Sequence, residues 1–114
     1  MQIHYLEIVT GDVDAICAAY TAAHSVQFSA PDARLGNART ANLPGGALLG
    51  VRAPLHETEA PVVRPYWLVD DIEAAVAAAV RAGAQVAHPP LEIPGLGTFA
   101  IYIQGDIHHG LWQL

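Results

Sequence analysis

The sequence predicts an α+β domain built from two copies of a βαβββ module. The phrase Asp12-Val13-Asp14-Ala15 recurs in the second half as Asp71-Ile72-Glu73-Ala74. Each copy follows a short apolar run, Tyr5-Leu6-Glu7-Ile8-Val9 in one case and Tyr66-Trp67-Leu68-Val69 in the other. Each also opens an alanine-rich stretch. Internal repetition of a strand, a turn and a helix marks two similar modules sharing one domain. The reading places module one at 1–53, a Pro-containing linker at 54–61 and module two at 62–114.

The first strand occupies 2–9. Its alternation puts Tyr5, Glu7 and Val9 on one face and His4, Leu6 and Ile8 on the other, so the Leu6/Ile8 face should carry the helix. Asp12 is a suitable N-cap and Asp14 places negative charge in the first turn. Val13, Ile16, Cys17 and Tyr20 then form one apolar stripe, predicting a helix over Val13 to Ala23. Short strands are expected at Val26 to Ser29, Ala38 to Leu43 and Ala47 to Arg52, with a turn at Pro44-Gly45-Gly46.

In module two, Arg64, Tyr66 and Leu68 share one strand face, and Trp67 and Val69 the other. Asp70 or Asp71 should cap the second helix. Ile72, Ala75, Val76, Ala79 and Val80 form its stripe, and Gly83 fits a left-handed C-terminus. Gln85 to His88 is read as a strand stopped by Pro89-Pro90, and Leu91 to Gly97 as a loop. Thr98 to Ile103 and His108 to Gln113 are strands around a Gly105-Asp106 turn.

Composition limits the function classes. A net charge of −6 with only five Lys and Arg argues against nucleic acid, which demands a basic face. No apolar run is long enough to span a membrane, and no secretory signal is visible, so no membrane partner is expected. A single cysteine suits a cytoplasmic location. The hydrophobic share of 53% against 14% charged residues leaves apolar surface for a second subunit.

Residues 65–75, Pro65-Tyr66-Trp67-Leu68-Val69-Asp70-Asp71-Ile72-Glu73-Ala74-Ala75, with Pro89 to Ala100 and Gly110-Leu111-Trp112-Gln113, carry a resemblance. The chain resembles the vicinal oxygen chelate superfamily, which includes glyoxalase I, bleomycin-resistance proteins and extradiol dioxygenases, and within it a lactoylglutathione-lyase-like subgroup. The first half matches mainly through Glu7 to Asp12. The resemblance implies an incomplete eight-stranded barrel whose cleft holds metal and substrate, and a homodimer.

It also implies metal ligands on the first and last strands of each module. These positions fall on Tyr5, on the strand Ala47 to Val51, on Arg64 and on Gly110. None offers the acid, amide or imidazole that such a site requires, and Arg64 is cationic. No metal ligand and no cofactor are therefore assigned. His108 and His109 point to opposite faces of one strand, with His108 on the Trp112 side. His24, His56 and His88 read as surface histidines.

Parity gives an inward set of Tyr5, Glu7, Val9, Arg64, Tyr66, Leu68, His108 and Trp112. Rings with a few polar groups suit a small organic ligand. Arg64 could hold a carboxylate or phosphate, or pair with Glu7 on the equivalent strand. Trp112 lines the pocket, packs in the core or meets a second subunit. Cys17, on the core stripe, reads as an inert buried thiol. Two functions follow: a ligand-sequestering protein of the bleomycin-resistance type, or a superfamily enzyme. The enzyme would be metal-free, with Glu7 as general base and His108 or Tyr66 as acid, or else metal-dependent.

Overall fold

The structure is a computed structural model and describes residues 1–114. It contains β1 (Ile3–Val9), α1 (Val13–His24), a 3-10 turn at Ala33–Leu35, β2 (Arg39–Asn42), β3 (Leu48–Arg52), β4 (Val62–Leu68), α2 (Ile72–Arg81), β5 (Gln85–Ile93), β6 (Gly97–Gln104) and β7 (Ile107–Gln113). The chain divides into two compact units. One is Tyr5–Val63; the other joins Met1–His4 to Arg64–Leu114.

In the first unit the strand order is β2-β3-β1. β1 runs parallel to β3, with Glu7 opposite Gly50 and Val9 opposite Arg52, and β2 returns antiparallel to β3. Ile8, Cys17, Leu49 and Val51 form the core, with Leu6, Val13, Ile16 and Tyr20 packed around it. The helix therefore sits on the Leu6/Ile8 face, as alternation requires. Asp12 precedes α1 but makes no side-chain cap; instead its own N–H donates to Thr10 Oγ1 at 3.1 Å. Asp14 is held at 2.9 Å by Arg39.

The expected strand at Val26 to Ser29 is not formed. Ser29 N donates to Thr40 O at 2.7 Å, but the return bond from Thr40 N goes to the Ser29 hydroxyl at 3.0 Å. Arg39 Nε takes the Ser29 carbonyl at 3.1 Å. Side chains thus occupy the groups a ladder would use, and the structure has seven strands rather than eight.

In the second unit the order is β4-β7-β6-β5. β4 runs parallel to β7, while β7 with β6 and β6 with β5 are antiparallel. Ile72, Ala100 and Leu111 form the core beneath α2, with Trp67, Val69, Ala75, Val76 and Tyr102 around it. Val80, at the end of the predicted stripe, is exposed. Two acceptors close the start of α2. Asp71 Oδ1 accepts from Ala74 N at 3.1 Å, and Gln113 Oε1 accepts from Ile72 N at 2.7 Å. Its end is a Schellman motif: Ala84 N donates to Ala79 O and Gly83 N to Val80 O, both at 3.0 Å, with Gly83 at φ 101°.

β5 continues through Pro89-Pro90 to Ile93, well past the break expected at His88. It has one partner in its unit, β6, and its register shifts on both sides of His88. At such bulged positions on a strand with an unpaired side, a proline forfeits no ladder bond. The turn that follows is short, closed by Leu96 N donating to Ile93 O at 2.9 Å. β6 and β7 meet through Gly105 and Asp106, both at positive φ, the two-residue turn whose twist suits a hairpin.

Candidate functional site

In the second unit, the face turned away from α2 gathers most of the residues expected to bind a ligand. Cα pairing sets Tyr66 opposite Gly110 and Leu68 opposite Trp112, and Phe99 opposite Trp112 on the other side. Arg64 and His108 extend the same rows by two residues. Gly110 matters here. A Cβ added to it would overlap the Tyr66 ring, so only glycine lets that ring lie flat across β7. The Tyr66 and Trp112 rings meet edge to face at 5.9 Å and 85°, and Tyr66 and Phe99 at 6.3 Å and 70°.

Tyr66 and Trp112 are each 4% exposed, Arg64 is buried, Leu68 is half-buried and His108 is exposed. Arg64 Nη2 lies 3.5 Å from His108 Nδ1, the outer reach of a hydrogen bond. The guanidinium has only donors, so in that contact Nδ1 would be the acceptor. Trp112 Nε1 donates to Leu96 O at 3.3 Å.

Two further rings complete the row, and neither was identified from the sequence. Phe99 packs on Tyr66. His88, read as loop surface, is half-buried and stacks on Phe99 at 4.7 Å and 29°. The bulges around His88 reverse the parity that would otherwise place it, and so hide it from pattern reading. His4 was expected on the helix face, yet its ring lies 5.5 Å from that of Trp112. Burial pushes the His4 imidazole below its ordinary value. His109 stacks on Tyr102 at 5.0 Å, on the opposite face. His24 and His56 are exposed.

Tyr5 and Glu7 belong to the first unit and are buried there. Tyr5 reaches diagonally over Gly50, where an added Cβ would overlap its ring. Glu7 has a partner in its own unit: Arg52 Nε donates to Glu7 Oε2 at 2.8 Å. The same guanidinium grips Glu59 with two parallel bonds, Nη1 to Oε1 at 2.7 Å and Nη2 to Oε2 at 2.8 Å. Glu59 Oε1 also accepts from Leu55 N at 2.7 Å, which pins the loop after β3. The Glu59 carboxylate, and after it that of Glu7, holds the Arg52 guanidinium above its ordinary range despite burial. Sequence reasoning missed this cluster. The available signal was parity, since Gly50 and Arg52 share a strand face with the residues opposite them.

The residues at the positions that the resemblance marks for metal ligands do not fit a divalent ion. Tyr5 covers Gly50, Tyr66 covers Gly110, and the remaining position is the cation Arg64. No group of three His, Cys, Asp or Glu side chains is placed to hold one.

No protein-family model matches the sequence, and no curated protein does. Solved structures do match. A hypothetical protein, BH1468 from Bacillus halodurans C-125, superposes with a TM-score of 0.73 at 11% identity, covering 99% of this chain and 94% of that one. Methylmalonyl-CoA epimerase from Mycobacterium tuberculosis gives 0.75 at 15% identity, with 97% and 86% coverage. This is the glyoxalase/bleomycin-resistance fold. A Streptomyces coelicolor methylmalonyl-CoA epimerase variant in complex with 2-nitronate-propionyl-CoA gives 0.69 at 15%, with 99% and 96% coverage. At these identities the likeness establishes the α+β fold and nothing finer. A fold carries no activity with it. No helix is long and apolar enough to cross a membrane.

Proposed function

We propose that the chain is a small-molecule binding protein of the glyoxalase/bleomycin-resistance type, which takes a planar organic ligand on the ring row of its second unit without a chelated metal. The observation that carries this reading is the exchange at Gly110. The last-strand ligand position holds no side chain, and the Tyr66 ring fills the space instead. The half-buried Phe99, His88 and Leu68 border the buried Tyr66 and Trp112 rings, and Arg64 with His108 supplies donors to an acidic or carbonyl substituent. The test is calorimetric titration with flat bicyclic aromatics. Binding should weaken at least tenfold in Trp112→Ala with the fold intact by circular dichroism. Unchanged affinity in that variant refutes the reading.

A second reading is an enzyme, favoured by the epimerases among the structural neighbours. Glu7 would be its base, although Arg52 already engages one carboxylate oxygen. Glu7→Gln separates the two readings: a binder keeps its affinity, whereas an enzyme loses turnover. We also propose a cytoplasmic homodimer. Leu55, Val63, Leu91 and Ile107 are large apolar residues left exposed. Light scattering that shows a monomer at micromolar concentration would count against it.

A further inference from the structure

We infer that His88 is a hydrogen-bond acceptor of the ring row, and that the ligand is a planar aromatic molecule carrying an O–H or N–H donor at its edge. This rests on the proposed ligand-binding reading and narrows its chemistry.

His88 Nδ1 lies 2.7 Å from the carbonyl oxygen of Pro89. A carbonyl oxygen can only accept, so Nδ1 carries the proton and donates. A neutral imidazole has one N–H, which leaves the lone pair on Nε2. Pro89 is suited to this task, because it has a carbonyl to offer and no N–H of its own. The register shifts on either side of His88 turn its ring onto Phe99, and stacking at 4.7 Å and 29° holds the ring plane. Tautomer and orientation are thus both set before a ligand arrives.

Two neighbouring groups have the opposite character: Arg64 has only donors, and the Trp112 N–H is engaged by Leu96 O. His109 turns its Nε2 toward Gln104 O at 3.3 Å and lies on the other face. His88 therefore supplies an acceptor at the β5 end of the row, beside Phe99. A phenol, naphthol or indole edge matches it. A fully alkylated or aprotic ring of the same shape does not.

The experiment is calorimetric titration of the full chain with 2-naphthol and with 2-methoxynaphthalene. Transfer out of water favours the methyl ether, so a preference for the naphthol reports the hydrogen bond. Wild type should bind 2-naphthol about tenfold more tightly, the effect of one well-placed bond. His88→Phe, which keeps a ring on Phe99, should bring the two affinities together. His88→Gln, which restores an acceptor, should recover part of the preference and covers the case in which the phenylalanine variant does not fold. Equal binding of both probes to wild type overturns the inference, as does a preference that survives His88→Phe. Failure of both probes to bind wild type overturns the ligand-binding reading itself.

Discussion

Replacing Arg52 with methionine should be among the most damaging single changes in the first unit. The Arg52 and Glu7 side chains are 6% and 7% exposed, and Glu59 is 16% exposed. The guanidinium makes one bond to Glu7, two to Glu59 and one to the Ala53 carbonyl. Without it, two carboxylates face a site that no longer holds a cation between them, and Leu55 N loses the positioned acceptor that fixes its loop. Removing one partner from a buried ion pair costs about 3–5 kcal/mol. A typical domain has only about 5–15 kcal/mol to lose. For a chain of this size the thermal midpoint should fall by roughly 10–20 °C. Urea denaturation followed by circular dichroism measures the loss directly. Glu7→Gln in the Arg52→Met background should restore a substantial part, because it removes one of the two carboxylates that the guanidinium neutralised. An Arg52→Met variant within about 1 kcal/mol of wild type, the range of an ordinary surface ion pair, would falsify the clamp.

Three further outcomes are expected. Gly110→Ala should destabilise by about 1–3 kcal/mol, as overpacking does, and should change the near-ultraviolet dichroism of Tyr66; Gly11→Ala, with open space around its Cα, should stay within about 0.5 kcal/mol. Because burial lowers the His4 pKa in the folded chain, the unfolded chain binds more protons below about pH 6.5. That contribution is complete above this pH and is lost as the pH falls through the folded value. The denaturation midpoint of His4→Phe should therefore fall less between pH 7.5 and pH 5 than that of wild type, and parallel curves would refute the assignment. Addition of Zn, Ni or Mn at tenfold excess should leave the thermal midpoint unchanged, since the positions that the resemblance marks for ligands fall on Tyr5, the strand Ala47 to Val51, Arg64 and Gly110; a saturable upward shift would contradict the poor fit.

Legibility in the sequence followed the range of the interactions involved. Both helices could be read because their stripes and the Asp71 and Gly83 termini act within a few residues. The inward parity of Tyr66 and Trp112 could be read for the same reason. Pro89-Pro90 misled, because a proline's effect on a strand depends on whether its missing N–H faces a partner, and that is settled only by β6. Val26 to Ser29 misled because the Ser29 hydroxyl and Arg39, ten residues on, take over the ladder's bonds. Arg52 was hidden by distance: its meaning comes from Glu7 on another strand and Glu59 on the following loop. His88 was hidden by bulges, which no period-2 pattern anticipates.

The position of β7 between β4 and β6 has a consequence for biosynthesis. A ribosome delivers β4 and α2 well before β7, so the nascent α2 waits with Ile72 uncovered until Leu111 emerges, and lacks the acceptor that Gln113 provides. Through that interval the half-made chain shows an open strand edge and a greasy helix side, the surfaces that chaperones recognise and that drive clumping when translation runs fast.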